Sequence, residues 1–288
     1  MRVAAVVVNH NAAGYLAACI ASLQRAGAAE VVVVDNASTD ESETVVRATG
    51  ARWMQTGANL GYGPAANRGA AAVDGDAVLV CNADVVVDDD AIRVLGRALH
   101  AACEVGAVAP RLRNVDGSTY PSVRPFPNLI DSFGHGLLGM VAPGNPFTRR
   151  YRMLDWDHTT SATVDWVSGA CILVRRAAWD AVGGFDPSYF MYLEDVDLCW
   201  RLGQAGWAVA YEPGAGALHV QGVSASRHPY RMLAAHHQSM WRFAWRTTRG
   251  LRRLVLPVVG VGLLGRFFAA CVEHRVGSTR AQRAARVP

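Results

Sequence analysis

Three carboxylates stand in an aromatic, apolar stretch toward the C-terminal half of this chain: Phe190-Met191-Tyr192-Leu193-Glu194-Asp195-Val196-Asp197-Leu198-Cys199-Trp200-Arg201. Acids among large apolar side chains are costly to desolvate unless something uses or neutralises them. Read as a helix starting near Glu194, the three point in different directions. Asp197 has Arg201 four residues on, the spacing of a helix-surface ion pair. Asp195 heads the apolar stripe Leu198, Cys199 and Leu202, and so faces inward at the first turn, where the helix dipole favours negative charge. An inward carboxylate there has the chemistry of a general base. From this segment alone, an ordinary acidic helix cap reads equally well.

Other polar residues close apolar runs. Asp35 ends the four valines Val31 to Val34, where a carboxylate can accept hydrogen bonds from a base or ribose. The competing role, a cap for the next helix, is already filled by Ser38 and Thr39. Residues 57–69 form a Gly-rich loop entering a helix, with Asn59, Gly61, Asn67 and Arg68 in it. Close backbone approach and free N–H groups at the helix start favour a diphosphate, and Arg68 adds charge. The loop lacks both the P-loop ending and GxGxxG spacing. Asn82-Ala83-Asp84 closes another buried run. Mg²⁺ or Mn²⁺ bridging a diphosphate needs only one or two protein carboxylates, a role Asp84 suits. The run Asp88-Asp89-Asp90 directly precedes a helix at Ala91 and reads as its cap and dipole partner. His219, in the loop after a strand, is read as either a second metal ligand or a structural histidine.

The elements that must hold these residues alternate. Val3 to Val8, Val31 to Val34, Ala77 to Cys81 and Val105 to Ala109 are continuous apolar runs of strand length. Helical patterns over Tyr15 to Arg25, Thr39 to Ala48, Pro64 to Val73 and Ala91 to Ala102 separate them. Unbroken apolar strands between helices indicate a parallel sheet covered on both faces, an α/β architecture that collects ligands at the C-terminal strand ends. Those ends turn polar together, at Asn9-His10-Asn11, Asp35-Asn36 and Asn82-Ala83-Asp84. Beyond them come a turn at Asp116-Gly117 and a loop or flap over 120–150. A strand over Val164 to Val174, a strand over Trp207 to Tyr211 and a helical region from Tyr230 onward complete the reading.

The 288 residues are 51% hydrophobic, enough for a sizeable core. All 28 basic residues are Arg, and their distribution is uneven. Residues 1–241 hold 18 Arg and 23 acids, whereas residues 242–288 hold ten Arg against the single acid Glu273. A basic tail beside the apolar Leu254 to Ala270, without an aromatic-basic nucleic-acid motif, favours an anionic membrane surface over nucleic acid. Leu254 to Gly265 is about twelve residues, short of the ~20 that span a bilayer, and contains Pro257. It reads as an interfacial or core helix. Six scattered cysteines without a CxxC pair read as buried thiols in a reducing compartment. The N-terminal apolar run is too short for a signal peptide, so the expected location is cytoplasmic, peripheral on the inner membrane face.

Val6-Val7-Val8-Asn9, Val34 to Asp40, Asn59 to Gly63, Asn82-Ala83-Asp84 and Glu194 to Asp197 occur in the order found in GT-A family 2 inverting glycosyltransferases, which residues 1–222 resemble. Pro110 to Arg113, Asp116-Gly117-Ser118, Tyr120-Pro121-Ser122 and Ala234 to His237 look more narrowly like actinobacterial rhamnosyltransferases of the cell-wall linker. The resemblance implies a GT-A fold, Rossmann-like and mostly parallel with helices on both faces, plus a C-terminal helical, basic appendage. The catalytic domain would span residues 1–228, with nucleotide binding to about 110 and the acceptor part over 111–228; residues 229–288 would be the helical segment. It implies transfer of rhamnose from a dTDP-sugar donor to a polyprenyl-diphosphate-linked GlcNAc acceptor, assisted by Mg²⁺ or Mn²⁺.

In residues, Asp195 would be the base, while Asp84 and His219 would hold the metal. Asn9, Asn11, Asp35, Asn36, Asn59, Gly61, Asn67, Arg68, Asn82 and Ala83 would form the nucleotide-sugar pocket. Glu194, Asp197, Trp166 and Gly169 would serve the acceptor or support the base. The chain departs from the usual DxD motif in having Asn82 at the first acidic position. Two other classes stay open. A sugar-1-phosphate nucleotidyltransferase would carry a basic N-terminal Gly-rich loop, where this chain has Asn9 to Gly14. A non-catalytic sugar-nucleotide-binding protein would not need both Asp84 and Asp195.

Overall fold

Strand β1 (Val3–Asn9) shows why a sheet forms here: every residue in it is buried. Val3, Ala5 and Val7 pack on one face, while Ala4, Val6 and Val8 pack on the other. A strand apolar on both faces must lie in the middle of a three-layer sandwich, and each valine buried this way contributes ~1.5–3 kcal/mol. The computed structural model describes residues 1–127, 142, 144–153, 155–220 and 229–284.

β1 pairs in parallel with β2 (Glu30–Asp35) and β4 (Ala77–Asn82), and β3 (Arg52–Gln55) extends this half beyond β2. The second half is mixed. β10 (Cys171–Arg175) runs antiparallel between β4 and β6 (Val105–Arg113). β11 (Ala208–His219) pairs in parallel with β6 and antiparallel with β5 (Val85–Val87) and β8 (Ala162–Val164). The path is β3-β2-β1-β4-β10-β6-β11-β5, and β7 (Val123–Arg124) with β9 (Trp166–Val167) forms a separate ribbon.

Helices α1 (Ala13–Arg25) and α4 (Ala91–Ala101) cover one face through Leu16, Ile20, Leu23, Leu95 and Leu99. On the other face lie α3 (Tyr62–Ala71) and α7 (Glu194–Gln204), through Ala65, Ala66, Ala70, Leu198 and Leu202. Short helices α2 (Ser42–Thr49), α5 (Pro146–Arg152) and α6 (Arg176–Val182) complete the body. Two long helices follow, α8 (Pro229–Thr247) and α9 (Leu256–Ala284).

Several sequence expectations change. The run Val164 to Val174 is no single strand, because the chain leaves the main sheet after Val164, passes through the ribbon at Trp166–Val167 and rejoins the sheet at Cys171. His219 ends a twelve-residue strand instead of lying in a loop: β11 slips register between Glu212 and Gly216, across Pro213-Gly214, then resumes beside β5 and β6. α2 begins at Ser42, not Thr39, and Asp40 accepts hydrogen bonds from the Ser42 N–H and hydroxyl. Cys103 is exposed, whereas Cys19, Cys81, Cys171 and Cys199 are buried thiols. The Asp88–Asp90 run makes no side-chain cap; Asp88, Asp89 and Asp90 pair with Arg113, Arg25 and Arg93. The expected loop over 120–150 lies partly outside the described residues.

The C-terminal helices depart further. Pro257 falls in the first turn of α9, where its missing N–H has no helical acceptor to lose, so the helix runs straight past Arg266. The stretch Gly250–Arg275 spans 26 residues with a mean hydropathy of 2.0 in its apolar window, 6% of which is buried. It is long and apolar enough to cross a membrane by length and composition alone, which the twelve-residue reading missed. α8 is different in kind. Its Phe243 is buried in the core face shared with α3 and α7, and stacks on Phe126 at 6.5 Å.

Candidate active site

Because β1, β2 and β4 are parallel neighbours, Asn9 lies opposite Asp35 and Val8 opposite Asn82, so three polar strand ends share one edge. β10 is antiparallel to β4, which brings the loop before β10 to that same edge. The Asn82 N–H donates to the Ala170 carbonyl at 3.0 Å. One residue earlier, the Gly169 N–H donates to Asp195 Oδ2 at 2.8 Å. The strand end carrying Asp84 and the helix start carrying Asp195 are thereby tied through two consecutive residues, Gly169 and Ala170.

Asp195 sits at the first turn of α7. Its Oδ1 accepts the Val196 N–H at 2.8 Å, while Oδ2 takes Gly169. Burial raises its pKa above the usual carboxylate range, and the two N–H groups pull the other way. A Cβ at position 169 would lie 3.2 Å from Asp195 Cβ, so glycine there leaves room for the carboxylate. The Gly169 carbonyl in turn accepts the Tyr62 hydroxyl, which is buried, at 2.5 Å. Tyr62 was not singled out in the sequence reading; it directly follows Gly61, and its partner lies 107 residues away.

The Gly-rich loop abuts the acidic segment. Gly61 has φ +92°, and a Cβ there would come 2.0 Å from the Phe190 carbonyl oxygen. That carbonyl accepts the Tyr62 N–H at 3.0 Å. Only glycine supplies both the dihedral and the clearance. Asn36 holds the loop in place, donating to the Gly61 carbonyl at 2.9 Å and accepting the Leu60 N–H at 2.8 Å. Asn59 accepts the Gly61 N–H at 3.1 Å.

Asp35 is fully enclosed, accepting from the Asn9 amide at 2.9 Å and from the Ser38 N–H at 3.0 Å. Ser38 and Thr39 turn back to the β1 end instead of capping α2: Ser38 accepts from the Asn9 side chain and the Asn11 N–H, and Thr39 donates to Asn11 Oδ1. Asn9 Oδ1 is buried without a partner. Asn67 uses its amide on both backbone groups of Phe185, at 2.7 and 2.9 Å. Arg68 is exposed and donates to the Thr56 carbonyl. The buried Trp166 donates to the Pro125 carbonyl at 2.9 Å, under the Arg124 guanidinium.

Asp84 and His219 meet. Their Oδ1 and Nε2 atoms are 3.5 Å apart, both residues are buried, and His219 Nδ1 has no partner. Asn82 Nδ2 lies 3.3 Å from the same imidazole. No group of three metal-ligating side chains occurs among the described residues. One carboxylate and one imidazole still suit a divalent ion whose other ligands are diphosphate oxygens and water, so the residues fit such an ion.

Glu194 and Asp197 divide their work. Asp197 is fully buried with Arg201 Nε at 2.7 Å and Arg246 at 3.1 Å, so the expected helix-surface pair is an interior one. Glu194 is buried with Oε2 unpartnered, and burial, then the charge of Asp195, pushes its pKa to about 8. A carboxyl whose folded pKa is raised stabilises the fold fully below its unfolded value, near 4.5, and that contribution is lost as pH rises through about 8. The melting-temperature advantage of wild type over Glu194→Gln is therefore expected to shrink steadily from pH 5 to pH 8. A difference that stays flat across this range would contradict a neutral Glu194.

Residues 1–248 match the family model of glycosyltransferase like family 2. An N-acetylglucosaminyl-diphospho-decaprenol L-rhamnosyltransferase of Mycobacterium tuberculosis is 42% identical over 253 residues, covering 83% of this chain and 82% of that protein. Rhamnosyltransferase WbbL of Escherichia coli is 32% identical over 51% of this chain and 53% of its own length. Among solved structures, a mannosyltransferase from Pyrobaculum calidifontis in complex with GDP-Man and Mn²⁺ superposes with a TM-score of 0.61 at 17% identity, covering 99% of this chain and 79% of that one. TarS of S. aureus gives 0.56 at 14% identity, covering 93% and 72%. The sandwich, its strand-end acids and these matches agree: the chain belongs to glycosyltransferase family 2 and is a glycosyltransferase.

Proposed function

We propose that the chain transfers rhamnose from dTDP-rhamnose to a polyprenyl-diphosphate-linked GlcNAc, inverting the anomeric carbon in one displacement. The observation that carries this reading is 42% identity with the mycobacterial rhamnosyltransferase over four-fifths of both chains. In the reaction, the acceptor hydroxyl oxygen bonds to the anomeric carbon as the bond from that carbon to the diphosphate oxygen breaks. Asp195 takes the hydroxyl proton, and dTDP departs with the bonding electron pair. A carboxylate held by two N–H groups keeps its aim, and its raised pKa makes it a stronger proton acceptor. Asn36 and Asn59 shape the backbone around Gly61, beside the proposed sugar-nucleotide site. Asp84 and His219 would hold Mg²⁺ or Mn²⁺, which when bound neutralises charge on the departing diphosphate.

The test is incubation with dTDP-rhamnose and a short-chain GlcNAc-diphospholipid, with dTDP release and product stereochemistry as readouts. Release of dTDP dependent on this acceptor, with inversion, is the expected result. A thermal-shift preference for UDP- or GDP-sugars would overturn the donor assignment. A nucleotidyltransferase would instead form nucleotide sugar from nucleoside triphosphate, and a binding protein would release nothing.

A lipid-linked acceptor keeps its enzyme at the membrane, and the C-terminal helices suit that place. α9 exposes Val258, Val261, Leu264 and Phe268. An apolar cavity of about 520 Å³ between α8 and α9, lined by Ala234, Trp241, Leu263 and Phe267, offers room for prenyl units. The arginines contribute less freely than their sequence suggested. Arg242 stacks on Tyr189, Arg246 pairs inward with Asp186 and Asp197, and Arg249 stacks on Trp200. Full-length protein is expected to float with anionic liposomes, whereas a chain ending after Thr248, which keeps α8, is expected to stay in the soluble fraction. Equal flotation of both would remove α9 from membrane binding.

A further inference from the structure

The residues before the proposed base adopt an unusual backbone. Tyr192 and Leu193 both have left-handed φ, at 68° and 61°, and neither is glycine. Such residues are strained and persist only where surrounding structure holds them. The Leu193 carbonyl accepts the Asp197 N–H at 2.9 Å, so this pair of dihedrals sets where the first turn of α7 begins. That turn carries Asp195.

The holding contacts come from α8. Ser239 Oγ donates to the Met191 carbonyl at 3.1 Å. The His236 ring meets Tyr192 edge-on at 5.3 Å, and the Arg231 guanidinium lies 4.8 Å from the Phe190 ring centroid. Arg246 closes the far side, reaching Asp197 Oδ1 at 3.1 Å while also pairing with Asp186. One helix thus grips the segment before, at and after its strained pair. Its own footing is firm, because Phe243 is buried in the core.

We propose that Arg246, assisted by Ser239, is a positioning residue for glycosyl transfer: it joins α8 to Asp197 and so fixes the helix turn that aims Asp195 at the acceptor. The proposal rests on the reading of Asp195 as the base. Removal of Arg246 differs from removal of Arg201, which would also take the donors from the Val182 and Gly184 carbonyls. Without Arg246, Asp197 keeps its 2.7 Å partner Arg201, so the buried charge stays compensated while the direct tie from Asp197 to α8 is lost. A base displaced by about 1 Å loses on the order of 10²-fold in rate. The nucleotide-side residues Asn9, Asp35 and Asn36 bond among themselves and to the Gly-rich loop, whereas the ion pairs of Arg246 go to Asp186 and Asp197.

The test uses full-length protein with dTDP-rhamnose and the short-chain GlcNAc-diphospholipid. Arg246→Gln is expected to lower kcat ~10–100-fold with the donor KM unchanged, and Arg246→Lys is expected to recover much of the loss. Ser239→Ala, which removes a single hydrogen bond, is expected to lower kcat several-fold with the same split, and decides the matter if Arg246→Gln fails to fold. Unchanged kcat in Ser239→Ala and in any folded Arg246→Gln overturns the proposal. So does a parallel decline of kcat, donor affinity and melting temperature without rescue by Lys, which is what a purely structural role gives. Asp195→Asn run alongside separates the two levels: if it turns over normally, the base assignment fails; if it is dead while Arg246→Gln is fully active, only the positioning role fails.

Discussion

Asp195→Asn is expected to reduce the proposed rhamnosyl transfer by ~10²–10⁴-fold, the range that positioned proton transfer contributes, while binding of the proposed dTDP-sugar donor stays near wild type. Asparagine keeps the shape of the side chain and loses the proton-accepting oxyanion. It also exchanges one acceptor for an NH₂ group. The carboxylate now accepts from both Gly169 and Val196 N–H, so the amide must turn a donor toward one of them. A buried donor left without an acceptor costs about 1–3 kcal/mol, and a modest fall in melting temperature should accompany the loss of activity. The decisive comparison is single-turnover dTDP release against dTDP-sugar affinity measured on the same preparation. Turnover within a few-fold of wild type would remove Asp195 from the chemistry. Loss of donor affinity in parallel with turnover would point instead to collapse of the Gly61–Tyr62 contact with the acidic segment.

The parts of this fold legible in the sequence are those whose signal is local. Uninterrupted apolar runs announced β1 and β2, and the apolar stripe behind Asp195 announced the inward face of α7; Leu198, Cys199 and Leu202 are all buried. The parts that were not legible depend on partners far along the chain. Nothing near Val164 to Val174 signals that Gly169 must break the strand, because its N–H and carbonyl are claimed by Asp195 and Tyr62, 26 and 107 residues away. The antiparallel placement of β10 carries no mark in its own apolar run, since a buried central strand looks alike in either direction. The arginines of α8 were read as a basic surface because their targets, Asp186, Tyr189 and Asp197, lie on another element. Charge pattern records how many arginines there are; it does not record which way a helix faces.

Arg201→Met is expected to destabilise the protein by ~3–5 kcal/mol, the cost of breaking a buried ion pair from one side. Arg201 and Asp197 stand four residues apart, as do Arg47 and Glu43, so spacing alone ranks the two pairs equally. Their surroundings differ. Arg47 and Glu43 have side chains 69% and 45% exposed, whereas Asp197 is fully buried and Arg201 is 12% exposed. Arg201 also donates to the Val182 carbonyl at 2.6 Å and the Gly184 carbonyl at 2.7 Å. Methionine fills much of the space and satisfies none of these acceptors, and Asp197 is left with Arg246 at 3.1 Å and a long contact to Tyr189. At ~2–4 °C per kcal/mol for a domain of this size, the melting temperature should fall by ~6–20 °C. Arg47→Met should change stability by no more than ~0.5 kcal/mol, because water and salt screen an exposed pair. Similar shifts for the two variants would mean that the interior pair is bought back by solvent entering around Asp197, and that α7 is not anchored by Arg201.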